Sequence, residues 1–245
     1  MITSKQNKTY KLYLSLKLKK YRDLHGLFLV YGTHQIEAAK KHGCLQEILT
    51  SNPEKEGTLY DQSLLDEFQQ AETFFDQIGV CKKIIHPIIS HRILVLDDVQ
   101  DPDNVGALIR SAAAFGFLHI VLSPQSADLY NEKTIRASKG SIFDCYVERK
   151  PLKEELLEFK KQGFQVYYAD AHDEGTITIS DKMVLILGNE GHGISQELKL
   201  LSDQAVHIET RRVESLNVSV AGAIIMHAWR ILWKLYSLVF LIIHP

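Results

Sequence analysis

Three apolar stretches constrain this chain more than any other feature. Ile93-Leu94-Val95-Leu96, His119-Ile120-Val121-Leu122 and Met183-Val184-Leu185-Ile186-Leu187 carry almost no polar residue. Runs of that length and continuity read as strands buried on both faces, the signature of a largely parallel sheet with helices on either side. Two further runs, Gln165-Val166-Tyr167-Tyr168-Ala169 and Ala205-Val206-His207-Ile208, extend the pattern. The expected class is therefore an α/β sandwich. Ligands in open α/β sheets bind outside the carboxyl ends of the strands. Three segments that follow such runs are rich in small and uncharged polar residues: Asp103-Asn104-Val105-Gly106-Ala107-Leu108-Ile109-Arg110, Gly188-Asn189-Glu190-Gly191-His192-Gly193 and Val213 to Ala221. Their placement predicts one composite site.

The first part of the chain alternates strand and helix signals. Leu27–Tyr31 reads as a strand, Gln35 to His42 as a helix closed by Gly43, and Leu45–Thr50 as the next strand. Asn52-Pro53-Glu54 is a turn signal. Ser63 is placed to cap a helix through Phe68, Ile78–Cys81 is a short strand, and His86-Pro87 reads as a linker. Further on, Asp101-Pro102-Asp103-Asn104 can open a helix that runs to about Phe115, with Gly116 placed to end it. A long last helix is expected from near Ser215.

A length of 245 residues allows one large or two modest domains, and a net charge of −2 does not mark a nucleic-acid binder in bulk. Charge placement says more. From Lys5 to Arg22 the chain carries Lys5, Lys8, Lys11, Lys17, Lys19, Lys20 and Arg22 with no acidic residue among them. Such an arm suits a phosphate backbone, and equally suits a solvated helix face. Cys44, Cys81 and Cys145 are isolated, so neither a disulfide framework nor a zinc site is expected, and reduced cytoplasmic thiols are. No signal-peptide core opens the chain. The apolar run Leu235–Ile243 is well short of the roughly 20 residues that cross a bilayer, which points to helix packing or a subunit contact and not to a membrane.

Gly188, Gly191 and Gly193 make a GxxGxG pattern. It is neither the dinucleotide GxGxxG nor a phosphate loop. Glu190 within it covers no apolar surface, so a structural reason for it is hard to find. Asn104 could serve only as a helix cap. Arg110 lies in an Ala- and Leu-rich helix that should be largely buried. An anion is then needed: an internal bridge to Asp97 or Asp98, or a bound phosphate or carboxylate. Ser215 and Asn217 flank the last helix, and capping accounts for one of them. Arg211, Arg212, Arg136 and Lys139 could meet phosphate or only decorate a surface. Eleven histidines show no ligand spacing, so no metal is expected and His192 and His207 are read as structural.

Together these segments resemble the SpoU (TrmH-like) branch of the SPOUT methyltransferases. Asn104 to Arg110 (NxGxxxR), Leu187 to Ile194 and Ser215 to Ala221 look like that family's three motifs, in order, and Arg136-Ala137-Ser138-Lys139-Gly140 resembles a further segment. The resemblance implies a SPOUT-type domain with a deep trefoil knot over 88–245, preceded by a small ribosomal-protein-like α/β substrate-binding domain over 1–87. It implies S-adenosylmethionine as methyl donor and a ribose 2′-hydroxyl of tRNA or rRNA as acceptor. Leu187, Gly188, Gly193, Ile208 and Leu216 would then contact the cofactor. Arg110 would be catalytic, with Asn104, Glu190, Ser215 and Asn217 holding it and the ribose. Lys17, Lys19, Lys20, Arg22, Arg136 and Lys139 would meet RNA. A cytoplasmic homodimer through the C-terminal helix is also implied. The chain departs from the family's pattern at Tyr31, where a glutamate is usual, at Phe75 to Gly79, where a Thr-Pro-Gln-Gly turn is usual, and at Glu209, where a proline is common. The rival readings are a catalytically silent RNA-binding or ribosome-assembly protein on the same fold and, weakened by the missing GxGxxG, a nucleotide-dependent oxidoreductase.

Overall fold

The computed structural model describes the chain apart from residues 71–73, 84–86, 174, 176–179 and 244–245, and for 231–243 it describes only the helical course. The basic arm folds into two short helices, α1 (Lys8–Ser15) and α2 (Lys19–His25). Asn7 caps α1 by accepting from the Tyr10 amide, and Gly26 ends α2 at φ 64°. Tyr10, Tyr13 and Leu16 turn inward, while Lys8, Lys11, Lys19 and Lys20 stay in solvent. After them come β1 (Leu27–Tyr31), α3 (Thr33–Lys41), β2 (Leu45–Thr50), β3 (Thr58–Leu59), α4 (Gln62–Asp66) and β4 (Gln77–Lys82). They form a four-stranded sheet in the order β1-β4-β2-β3, with β4 antiparallel to both neighbours. The α4 cap is Asp61, which accepts from the Ser63 amide, and not Ser63 itself; the helix stops at Asp66. The expected linker at His86-Pro87 falls partly outside the described residues.

The apolar runs pair as expected. β5 (Arg92–Asp97), α5 (Pro102–Phe115), β6 (His119–Leu122), α6 (Glu132–Ser138), β7 (Tyr146–Arg149), α7 (Leu152–Lys161), β8 (Gln165–Ala169), β9 (Met183–Gly188), α8 (Gln196–Leu201), β10 (Gln204–Val206) and α9 (Val218–Ile243) complete the chain. The six strands are all parallel, in the order β10-β8-β9-β5-β6-β7. Alternate side chains of β5 explain why its run is unbroken. Leu94 and Leu96 pack with Leu108, Ile109, Ile225 and Trp229 of α5 and α9. Ile93 and Val95 pack with Leu156, Phe159 and Leu198 of α7 and α8. Each such side chain contributes roughly 1.5–3 kcal/mol when fully buried. β7 gave no sequence signal because it is an edge strand, Tyr-Val-Glu-Arg, half-buried throughout.

The core of the four-stranded sheet reaches into the second part of the chain. The cluster around β1, β2 and β4 takes in Ile135 and Ile142, and Leu129, Tyr130 and Phe143 pack against it. No helix among the described residues is long and apolar enough to cross a membrane.

Candidate functional site

The site starts from a backbone approach that only glycine allows. β9 ends at Gly188, where a Cβ would lie 2.5 Å from both the Gly193 carbonyl carbon and the Ile194 nitrogen. The turn between is closed by Asn189 N to Gly193 O (3.1 Å) and Gly193 N to Asn189 O (3.0 Å). The Asn189 side chain holds it from inside, accepting from the Gly191 amide at 2.7 Å and donating to the Asp98 carbonyl at 2.8 Å. Asp98 sits at φ 58° at the end of β5, and its amide donates to Ser123 Oγ at 3.0 Å. The ends of β5, β6 and β9 are thus tied into one rim.

The three motifs meet through side chains. Asn104 is buried inside α5, not at its cap; Asp101 caps the helix by accepting from the Asp103 amide. Freed from capping, Asn104 donates through Nδ2 to Glu190 Oε1 at 2.9 Å and accepts through Oδ1 from Asn217 Nδ2 at 3.0 Å. Asn217 Oδ1 in turn accepts from Ser219 N and Oγ at 2.9 and 2.6 Å, which caps α9. The last helix therefore begins at Val218, three residues later than the expected start near Ser215. One side chain per motif, two amides and a carboxylate, forms a relay in which the carboxylate can only accept and so fixes the orientation of both amides. Ser215 is exposed and takes no part in the cap.

Beside the relay opens a cavity of about 650 Å³. Leu187, Gly188, Gly193, Ile208 and Leu216 all line it, as do Glu190, Ser215 and Asn217. Val206, Val218, Ala221 and Ile225 give it an apolar side. Its far wall is Asp170, His172, Asp173 and Lys199, which sequence reasoning missed. The signal was available, since this loop follows β8 and obeys the same strand-end rule. Burial alone would raise the Asp170 carboxyl. The Lys199 ammonium and the amides of His172 and Asp173 outweigh it and hold the group below the usual carboxylate range. Glu209 is exposed and is not among the lining residues, so its departure from the usual proline leaves the cavity edge to Ile208 and Thr210.

Arg110 corrects the burial expected for it. The covered stripe of α5 runs through Asn104, Val105, Leu108, Ile109 and Ala112, and Arg110 falls outside it, exposed. Among the described residues it has no ion pair. Asp97 accepts from the Ser195 amide at 2.8 Å and Asp98 lies 3.4 Å from His192, so neither carboxylate serves it. Nor is Arg110 among the residues that line the cavity.

The basic candidates divide. Lys19, Lys20 and Lys139 are exposed, and Lys17 donates to the Glu67 carbonyl at 2.7 Å. Arg22 is buried, which overturns its expected RNA contact. It pairs with Asp128 and donates to the carbonyls of Leu16 and Lys17 at 2.8 Å each. Arg136 is also turned inward, paired to Glu132 at 2.8 Å. Both are bound by carboxylates from the same chain, whose local charge neutralises them before any phosphate could. His192 lies 3.4 Å from Asp98 and lines the cavity, and His207 is 3.3 Å from the Asp170 carbonyl. Among the described residues no cluster of three or more His, Cys, Asp or Glu side chains is placed to hold a metal.

Comparison with known proteins locates this arrangement. Residues 91–227 match the SpoU rRNA Methylase family. The chain is 32% identical to the 23S rRNA (guanosine(2553)-2′-O)-methyltransferase RlmP of Bacillus subtilis, over 94% of this chain and 98% of that protein. Its fold superposes on an AdoMet-bound rRNA methyltransferase from Sinorhizobium meliloti with a TM-score of 0.81 at 25% identity, covering 94% and 96% of the two chains. The SpoU methyltransferase AviRb from Streptomyces viridochromogenes, at 24% identity and TM-score 0.78 over 92% and 97%, shares the fold.

Proposed function

The chain belongs to the SpoU rRNA methylase family, and we propose that it transfers a methyl group from S-adenosylmethionine to a ribose 2′-hydroxyl of large-subunit ribosomal RNA. The observation that carries this reading is the Asn217–Asn104–Glu190 relay at the mouth of a backbone-lined cavity. The residues present fit the cofactor. Gly188 brings main chain against main chain, the apolar side suits an adenine, and Glu190, Glu214 and Asp170 set carboxylates around a cationic ligand. Leu187, Gly188, Gly193, Ile208 and Leu216 would hold it. The similarity to RlmP over nearly the whole of both chains favours ribosomal RNA over tRNA.

When bound, the cofactor supplies a methyl already activated by its sulfonium. The protein's task is alignment and proton removal. Alignment of two reactants can lower a barrier by roughly 7–11 kcal/mol. A guanidinium stays protonated, so Arg110 is no ordinary base. It orients the target phosphate and hydroxyl, and a phosphate oxygen takes the proton. Arg110 is outside its own protomer's cavity, which supports a homodimer in which α9 brings the Arg110 of one copy to the cavity of the other. Val220 and Ile224, 48% and 42% exposed, give α9 the apolar face for that contact. We assign residues 1–87 to RNA binding and 88–245 to methyl transfer, with the segment between β9 and α9 threaded as a trefoil knot. Buried thiols at Cys44 and Cys81 suit a cytoplasmic protein.

The test uses S-adenosylmethionine labelled in its methyl group, 23S rRNA and a tRNA control. A methylated 2′-oxygen cannot attack the adjacent phosphodiester, so the labelled linkage survives alkali. Label in alkali-resistant dinucleotides from rRNA is expected. Label on bases, on tRNA alone, or none at all would overturn the assignment.

A further inference from the structure

Arg136 sits on α6, in the seam between the two sheets. Its guanidinium carbon is 4.9 Å from the ring centroid of Tyr31 and 4.9 Å from that of Phe75. Glu132 neutralises it from one turn earlier, and the two side chains are only 16% and 9% exposed. Each ring is itself fixed. Gln69 accepts from the Phe75 amide at 2.8 Å and donates to the Phe75 carbonyl at 2.9 Å. Phe75 also lies against Gly32 so tightly that a Cβ there would meet its Cδ1 at 2.7 Å. Tyr31 ends β1, and its amide donates to the buried Gln35 side chain at 3.1 Å, which donates onward to the Ile135 carbonyl of α6 at 3.0 Å.

The other side of α6 touches α5 just as closely. A Cβ on Gly106 would lie 2.5 Å from the Thr134 carbonyl oxygen and 2.6 Å from the Ala137 Cβ. Arg110 stands one helical turn beyond Gly106. The four-stranded sheet, α6 and the helix that carries Arg110 are therefore joined by contacts that cannot slide. The two rings also stand at two of the three places, residue 31 and residues 75–79, where the chain departs from the pattern it otherwise resembles.

We propose that Arg136 is a positioning residue: held against the rings of Tyr31 and Phe75 and neutralised by Glu132, it sets how RNA held by the four-stranded unit is presented to Arg110, without touching RNA itself. Two partly desolvated cation–π contacts are strong enough to hold such a seam. The inference rests on the RNA-methylation reading above.

The test compares the parent with Arg136→Met, with Glu132→Gln, and with Glu132→Gln combined with Tyr31→Glu, which moves the carboxylate across the seam. Four quantities are read: kcat/KM for an rRNA fragment, calorimetric Kd for S-adenosylmethionine, melting temperature, and the salt slope of RNA binding. Arg136→Met is expected to lower kcat/KM for RNA by about tenfold or more, the scale of two lost cation–π contacts. Cofactor Kd should stay within about twofold and the salt slope should not change, since no phosphate contact is removed. Glu132→Gln should fall in the same direction, and adding Tyr31→Glu should restore the charge balance while leaving the roughly threefold deficit of the lost ring. A salt slope reduced by about one in Arg136→Met would make Arg136 a phosphate contact and end the proposal. So would unchanged kcat/KM, or a loss of cofactor affinity in step with RNA kinetics. If Arg136→Met does not fold, Phe75→Leu removes one ring and leaves the ion pair; it must show the same split, about threefold, or the proposal fails. A parent that methylates no ribose would instead overturn the activity and leave the clamp to be read from melting and RNA binding.

Discussion

Gly188→Ala tests the contact on which the cavity is built. The new methyl carbon would stand 2.5 Å from Gly193 C and Ile194 N and 2.6 Å from Gly193 O, all of them main chain. Carbon contacts settle near 3.5–4.0 Å, so the strand end and the returning loop must part by about 1 Å. Overpacking of this kind costs about 1–3 kcal/mol. The separation also strains both hydrogen bonds of the Asn189–Gly193 bridge, each contributing about 1 kcal/mol. Stiffening the unfolded chain returns about 0.4–1 kcal/mol. The net loss is about 2–4 kcal/mol, which for a chain of this size lowers the melting temperature by roughly 5–15 °C. The same movement pulls Gly188 and Gly193 out of the cavity wall, so S-adenosylmethionine binding should weaken by at least about tenfold, or about 1.4 kcal/mol. Gly191→Ala is the control. Its Cβ would meet only the Asn189 Oδ1 at 3.3 Å, and its loss should stay below about 1 kcal/mol. Thermal unfolding and calorimetric titration read both quantities. A Gly188→Ala protein with the parent's melting temperature and cofactor affinity would refute the backbone-contact reasoning.

Arg110→Ala should lower kcat by about 10²–10³-fold with cofactor Kd unchanged, measured by single-turnover methyl transfer; near-parental turnover would remove its assignment. Asn104→Ala leaves Glu190 and Asn217 without their common partner, a loss of about 1–3 kcal/mol that should appear in denaturant unfolding together with reduced kcat. Arg22→Ala should destabilise by about 3 kcal/mol or more, because it strands Asp128 in a largely buried pair, yet leave the salt slope of RNA binding alone. Lys19→Ala and Lys20→Ala should do the reverse, each reducing that slope by about one; a slope that moves with Arg22 instead would contradict the division. The depressed Asp170 carboxyl gives a pH prediction. A group depressed by folding contributes stability above its unfolded value, about 3.9, and loses it as pH falls through the lower folded value. Cofactor affinity should therefore hold down to about pH 4 as far as Asp170 is concerned. In Lys199→Met the carboxyl rises and the decline should begin at higher pH; superimposable profiles would show that the pair does not support the wall.

Some of this could be read from residues alone because the physics is local. β1, β2, β6 and β8 fall at the expected limits, since an apolar run bounded by glycine or polar residues has few other ways to bury itself. The helix from Pro102 to Gly116 was legible for the same reason: Asp before Pro opens a helix and a glycine at φ 84° closes it. β7 escaped because an edge strand need not be apolar. Asn104 is not the cap because the helix opens three residues earlier, where Asp101 accepts from the Asp103 amide.

Sequence by itself determined the parallel sheet, the strand-end loops and the identity of the polar groups available there. Those follow from hydrophobic period and backbone preference, which act over a few residues. Only the tertiary structure decided which of those groups meet. Asn104 and Asn217 are 113 residues apart in the chain and 3.0 Å apart in space. Arg22 looks like a free cation in a linear reading, yet its carboxylate, Asp128, lies 106 residues away in the chain and is brought in by packing. Arg136 is paired within its own helix to Glu132, and what packing adds are the rings of Tyr31 and Phe75. Charge and hydrogen-bond partnership depend on distance in three dimensions, and no local pattern encodes that distance.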